Sequence, residues 1–209
     1  MKATSESVTR VGAVALWLGL LAWSSWATPP MRPDLLGWAA ALAIGDWTTE
    51  DPFIVAVFNT AGLLPILFAH LLQSDLRARP VPAWPFVLGS AAIGIFALLP
   101  WVALRQRDPN PPRLRPTLRR LLSSWALPMS GGLLLGGLGI WGVVQGSPLV
   151  YLERMQQDGF LMVMAVDFAL LHALFAGLAW SRGHRAWPAA LVPFCGPAIA
   201  LLPSATPME

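Results

Sequence analysis

Long apolar runs separated by short polar, proline-rich or arginine-rich segments set the rhythm of this chain. About twenty apolar residues in a helix cross the roughly 30 Å hydrocarbon layer of a bilayer. Runs of that kind occupy residues 53–73, 84–104, 125–145 and Gly159–Ser181, with a 17-residue run at 11–27. Residues 187–203 form a shorter closing run, interrupted by Pro193 and Pro197. Residues 35–45 are apolar too, but eleven residues make a helix of only about 16 Å, which suits an interfacial or re-entrant piece. The pattern predicts an all-α polytopic membrane bundle of about six transmembrane helices, within a range of five to seven. Trp84 and Trp101 stand where interfacial aromatics belong.

The polar segments divide this pattern. Three prolines in residues 28–33 exclude a helix, because proline removes a donor and fixes its backbone angle. Residues 105–120, RQRDPNPPRLRPTLRR, carry six arginines and four prolines and no apolar face. They separate an N-terminal membrane half (1–104) from a C-terminal one (124–209), with 105–123 as a basic loop on the cytoplasmic or stromal side. A short surface helix is expected around Tyr151, between 147 and 158. Gly132, Gly136 and Gly139 share one side of the 125–145 helix and predict close packing by a neighbouring helix. Residues 25–27 resemble a signal-peptide cleavage site. The length of the preceding run and Trp17, Trp23 and Trp26 favour a retained anchor.

Charge changes the picture only as topology. Of 209 residues 12% are charged, about half the usual share of a soluble domain. The net charge of +3 comes from arginines in loops, so nucleic-acid binding is discarded. With six crossings and the N-terminus outside, nine basic residues lie inside and five outside; with seven and the N-terminus inside, the split is ten to four. The single cysteine, Cys195, excludes an intrachain disulfide and a cysteine-built metal site.

A few polar groups fall inside the apolar runs, where ionisable side chains are costly and are candidates for function. Asn59, Leu63, Ile66 and His70 line one side of their helix at spacings of three and four, with Gly62 and Pro65 loosening it. That stripe could contact a pigment, an ion or water; it could equally be a packed face with His70 at the headgroup level. Asp167 and His172 are five residues apart and diverge by roughly 140° around the helix axis, so each needs a partner elsewhere. His70 and His172 differ in depth by on the order of 9 to 15 Å, which argues against a shared haem. Ligation of a chlorophyll magnesium by one histidine stays geometrically open, and no other cofactor is indicated. No catalytic constellation or phosphate-binding loop is present, so no catalytic or metal-binding residues are assigned.

Two stretches, DPFIVAVFNTAGLLPILFAHLL (51–72) and MAVDFALLHALFAG (164–177) with RAWPAALVPFCGPAIALL (185–202), carry a family likeness. They resemble a family of uncharacterised multi-span membrane proteins of cyanobacteria and chloroplasts. The matching positions are Asn59, Gly62 and Pro65, then Asp167, then Pro193, Gly196 and Pro197. The resemblance implies a thylakoid or cytoplasmic membrane of an oxygenic phototroph. The resulting expectation is an accessory subunit or assembly factor of a photosynthetic membrane complex, docking on other membrane subunits through its glycine-rich and Trp-rich faces. Its basic loop (Arg105, Arg107, Arg113, Arg115, Arg119, Arg120) would meet anionic lipid or a partner. The alternative is a small proton-coupled transporter using Asp167. An integral membrane enzyme has the least support.

Overall fold

A computed structural model of the chain describes residues 2–106 and 111–202. Every regular element among them is helical. In chain order these are α1 (Lys2–Trp26), α2 (Leu35–Ile44), α3 (Pro52–Leu71), α4 (Trp84–Ile93), α5 (Ile95–Leu104) and α6 (Pro116–Leu122). Then come α7 (Ala126–Gln145), α8 (Pro148–Met155), α9 (Gly159–Ser181), a 3-10 turn (Trp187–Leu191) and α10 (Gly196–Leu201). Three of them, α3, α7 and α9, are long and apolar enough to cross a membrane, fewer than the six expected.

The long helices start where local chemistry tells them to. Asp51 accepts the Phe53 N–H at 2.8 Å ahead of Pro52, a side-chain cap followed by the residue best suited to a first turn. The same carboxylate accepts the Ser147 N–H at 3.1 Å, which ties the end of α7 to the start of α3. Asp158 caps α9 through the Phe160 N–H at 2.9 Å. Between α3 and α7 the backbones approach closely: a Cβ on Gly142 would lie 2.6 Å from the Ala56 methyl and 3.2 Å from the Pro52 carbonyl. Gly142→Ala should therefore lower stability by about 1–3 kcal/mol, the usual cost of overpacking. Gly137→Ala, whose Cβ would meet nothing within 4 Å, should stay within about 0.5 kcal/mol of the parent. Thermal unfolding of both variants in detergent compares the two directly.

Contacts at the helix ends give the bundle two distinct poles. Arg10 of α1 donates to the Arg105 carbonyl after α5, Arg182 after α9 pairs with Asp75 after α3, and Arg77 donates to the Arg113 carbonyl before α6. These form an arginine pole. At the opposite pole, the Gly159 N–H of α9 meets the Pro30 carbonyl, Asp51 meets Ser147, and Trp47 stacks on Trp141. Glu50 there accepts from Trp38 at 2.8 Å and from Arg154 at 2.7 Å. Trp47, which follows α2, also donates its indole N–H to the Leu42 carbonyl of α2 at 2.8 Å.

The two expected spans at 84–104 and 187–203 are not crossings. The chain enters α4 at the arginine pole, where the Trp84 N–H bonds the Leu76 carbonyl, and leaves α5 at the same pole beside Arg10. Between them it reverses at Gly94, so that Gly89 of α4 lies against Ala97 of α5. Residues 84–104 are a re-entrant helical hairpin. The closing segment repeats the device. Its 3-10 turn and α10 lie against each other, with Gly196 touching the Ala189 carbonyl, and the reversal falls at Phe194, a non-glycine residue at φ 65°. Phe194 sits against Gly139, Cys195 near Gly136 and Ala198 against Gly132, so α10 runs back toward the start of α7. The chain thus heads back to the arginine pole at Leu202, not to the opposite one; Pro203 and the acidic end lie outside the described residues. The glycine face of α7 at Gly132, Gly136 and Gly139, expected to receive a neighbouring helix, receives the chain's own closing hairpin.

Candidate functional site

The tip of the first hairpin meets Asp167. Gly94 ends α4 with its N–H bonded to the Ser90 carbonyl at 2.9 Å and begins α5 at φ 55°, ψ −130°. L-residues rarely adopt that conformation, which glycine takes without a steric cost. A Cβ at Gly94 would also strike both carboxylate oxygens of Asp167. With no room for a side chain, the Asp167 carboxylate reaches the first amide of α5 and accepts the Ile95 N–H at 2.5 Å. From the other side Trp17 of α1 donates its indole N–H to the Phe96 carbonyl at 3.0 Å. The tip is held between α1 and α9.

Depth follows from helix rise. Asp167 lies eight residues into α9, roughly 12 Å from its opposite-pole end and roughly 21 Å from its arginine-pole end. The first amides of any helix lack intrahelical partners and carry partial positive charge. Here they are presented deep inside the bundle to a carboxylate that is only 9% exposed. The next residue, Phe168, packs against Phe194 with ring centroids 5.4 Å apart and planes inclined at 59°. Both hairpin tips therefore converge on one turn of α9.

A cavity of about 820 Å³ opens beside the first tip, bounded by α2, α3, the tip and the first half of α9. Its wall is mainly apolar, with Asp167, Asn59 and Ser90 among its few polar groups. Mostly apolar pockets with a small number of convergent polar groups are the usual form of small-molecule sites. Asn59 donates its amide N–H to the Val55 carbonyl of its own helix at 3.0 Å, which leaves its side-chain carbonyl out of that bond. It does not bond another helix.

The remaining candidates are not part of this arrangement. His172 is 4% exposed, its Nδ1 lies 2.7 Å from the Phe168 carbonyl, and its ring packs on Phe168 at 4.4 Å. His172 lines neither described cavity, and its Nε2 is buried without a hydrogen-bond partner. His70 stands at the arginine-pole end of α3 beside the Leu122 backbone, roughly 12 Å from the depth of His172. The two histidines do not face a common plane. Arg105 lies with its guanidinium 5.4 Å over Trp101, Arg119 and Arg120 are exposed on α6, and Arg113 and Arg115 precede that helix. Arg107 lies outside the described residues. Among the described residues no group of three His, Cys, Asp or Glu could hold a metal ion.

Outside the membrane-spanning segments the titratable groups serve the frame. Burial raises the Tyr151 hydroxyl pKa, keeping it a donor to the Leu161 carbonyl at 3.1 Å. The Arg32 guanidinium hydrogen-bonded to Asp34 holds that exposed carboxyl below its usual range. Burial, aided by the neighbouring Arg182, lowers the His184 pKa. Gly94, Ile95 and Ser90 were not singled out by the sequence; the signal was Gly94 midway along an apolar run that also holds Gly89. In comparison with known proteins, no family model, no curated protein and no solved structure matches this chain.

Proposed function

We propose that this protein is a small proton-coupled membrane transporter whose coupling group is Asp167. The observation that carries the reading is the hydrogen bond from the hairpin tip to a deeply buried carboxylate that lines an 820 Å³ cavity. Discontinuous helices near mid-membrane, with half-helix termini aimed at charged groups, are the recurrent substrate and ion sites of transporters. A charged carboxylate is held by the α5 N-terminus. A protonated one holds it less well, so proton binding would loosen the tip and change access to the cavity. The apolar wall suits a small, largely apolar solute.

The re-entrant hairpins also simplify the charge pattern. Arg32 and Arg154 are the only described basic residues at the opposite pole, and both lie against Glu50. The positive-inside rule then sets the arginine pole in the cytoplasm or stroma. In this reading α1 is a fourth crossing beside α3, α7 and α9. The thylakoid or cytoplasmic membrane of an oxygenic phototroph is the proposed setting, on the sequence resemblance alone.

The test is proton-driven uptake into proteoliposomes from a panel of small apolar solutes. Asp167→Asn should abolish pH-dependent flux while preserving the fold, because the amide oxygen still accepts the Ile95 N–H. Undiminished flux in that variant would sink the proposal.

A second reading is an accessory subunit of a photosynthetic membrane complex. It is favoured by outward-facing tryptophans, with Trp26, Trp125 and Trp180 between 64% and 87% exposed. Stoichiometric partner subunits or chlorophyll in a mild-detergent preparation from native membranes would support it; a pigment-free monomer would remove it.

A further inference from the structure

The Asp167 cavity holds an acid and no base. Of the two described cavities Asp167 lines this one, and not the other at the arginine pole between the ends of α1, α5 and α9. No lysine, arginine or histidine is among its lining residues. Among the described residues Asp167 has no ion pair. The Ile95 N–H occupies Oδ1. The other oxygen, Oδ2, accepts no hydrogen bond from the described residues and keeps open surface. The α5 terminus supplies about half an elementary charge. The remainder of the carboxylate charge has no counterpart, although enclosed charges are normally paired.

The neutral polar groups of the wall present the same chemistry. Ser24 gives its hydroxyl proton to the Leu21 carbonyl at 3.1 Å, and Ser90 gives its own to the Val87 carbonyl at 2.7 Å. With those protons spent, both hydroxyls can only accept, as can the side-chain carbonyl of Asn59. A cation that donates hydrogen bonds complements such a wall; an anion does not. Phe58, Phe96 and Phe160, from three different helices, also line the cavity, and aromatic rings attract cations. At the rim Leu21, Met31 and Ile93 are 37%, 48% and 58% exposed. That apolar rim suits an occupant with a hydrocarbon body arriving from the bilayer.

We propose that this cavity binds a lipophilic organic ammonium ion, with its N–H groups donating to Asp167 and its hydrocarbon body among the phenylalanines. The inference deepens the transport reading, on which it rests for the role of the bound cation. Ammonium and proton take turns on one carboxylate, so the carrier exchanges one for the other. Binding itself needs neither a gradient nor flux.

Three probes that share one hydrocarbon body and differ in charge test the site: phenylbutylammonium, phenylbutanol and phenylbutyrate. Each is titrated by calorimetry against the full chain in phosphatidylcholine nanodiscs, with empty nanodiscs as the blank for partition into lipid. The ammonium should bind saturably and at least about tenfold tighter than the alcohol, as expected for one charge-assisted hydrogen bond. The carboxylate probe should show no saturable binding. Asp167→Asn should weaken ammonium binding at least about tenfold and leave the alcohol unchanged. If that variant fails to fold, the three probes on the parent protein decide alone. Equal affinity for ammonium and alcohol, no saturable ammonium binding, or parent-like ammonium binding by Asp167→Asn would overturn the proposal. Ammonium selectivity without proton-coupled flux would keep this site and remove the transport reading. Proton-coupled flux of a neutral solute without ammonium selectivity would do the reverse.

Discussion

Gly94→Ala should be the most damaging single-methyl change in the molecule, costing on the order of 3 kcal/mol or more. Two effects combine: a side chain forced into a backbone region worth about 1–3 kcal/mol of strain, and a collision with the Asp167 carboxylate. The measurement is the midpoint of thermal unfolding in detergent, read beside the Gly137→Ala control. Combining Gly94→Ala with Asp167→Ala removes the collision but leaves the strain. The pair should therefore cost less than the sum of the singles by at least about 0.5 kcal/mol, the scale on which contacting residues couple. Additive costs would show that tip and carboxylate do not share this contact.

Asp167→Ala should destabilise the protein by about 1–3 kcal/mol, because it leaves the Ile95 N–H buried without an acceptor. Asp167→Asn keeps an acceptor oxygen at the same place and should cost less. Amide hydrogen exchange gives a local readout: the Ile95 and Phe96 amides should exchange faster in the alanine variant and near the parent rate in the asparagine one. Equal protection in all three proteins would show that the hairpin tip is held by its other contacts. The contrast also separates structure from transport, since the asparagine variant retains the scaffold but loses the titrating group.

Much of the scaffold was legible in the sequence. Runs at 53–73, 125–145 and 159–181 correspond closely to α3, α7 and α9. There, helix length and apolar composition agree with a cap at the start, Asp51 and Asp158 being clear cases. The hairpins were not legible, because hydropathy measures apolar length and not direction. Residues 84–104 are as apolar as a crossing helix, and what divides them is a single backbone angle at Gly94. In 187–203 the two prolines marked a break, yet the reversal itself depends on Phe194 filling the notch at Gly139. Asp167 stood out as an intramembrane carboxylate, and helix geometry correctly separated it from His172. Its partner could not be read, since the Ile95 amide belongs to every sequence equally. The glycines of α7 announced close packing but not its occupant.

The sequence separation of 72 between Ile95 and Asp167 orders the making of their contact. A chain made from its N-terminus completes α4 and α5 long before α9 exists, so the first hairpin matures only when a later helix delivers its acceptor. The closing hairpin meets the reverse situation. When Phe194 emerges, Gly139 of α7 and Phe168 of α9 have already been made, and the segment docks onto a finished surface. A nascent chain halted before α9 would hold an amide at its hairpin tip with no carboxylate to receive it, in a solvent that offers no substitute. The contact that closes the first hairpin's tip is thus available only once α9 has been made.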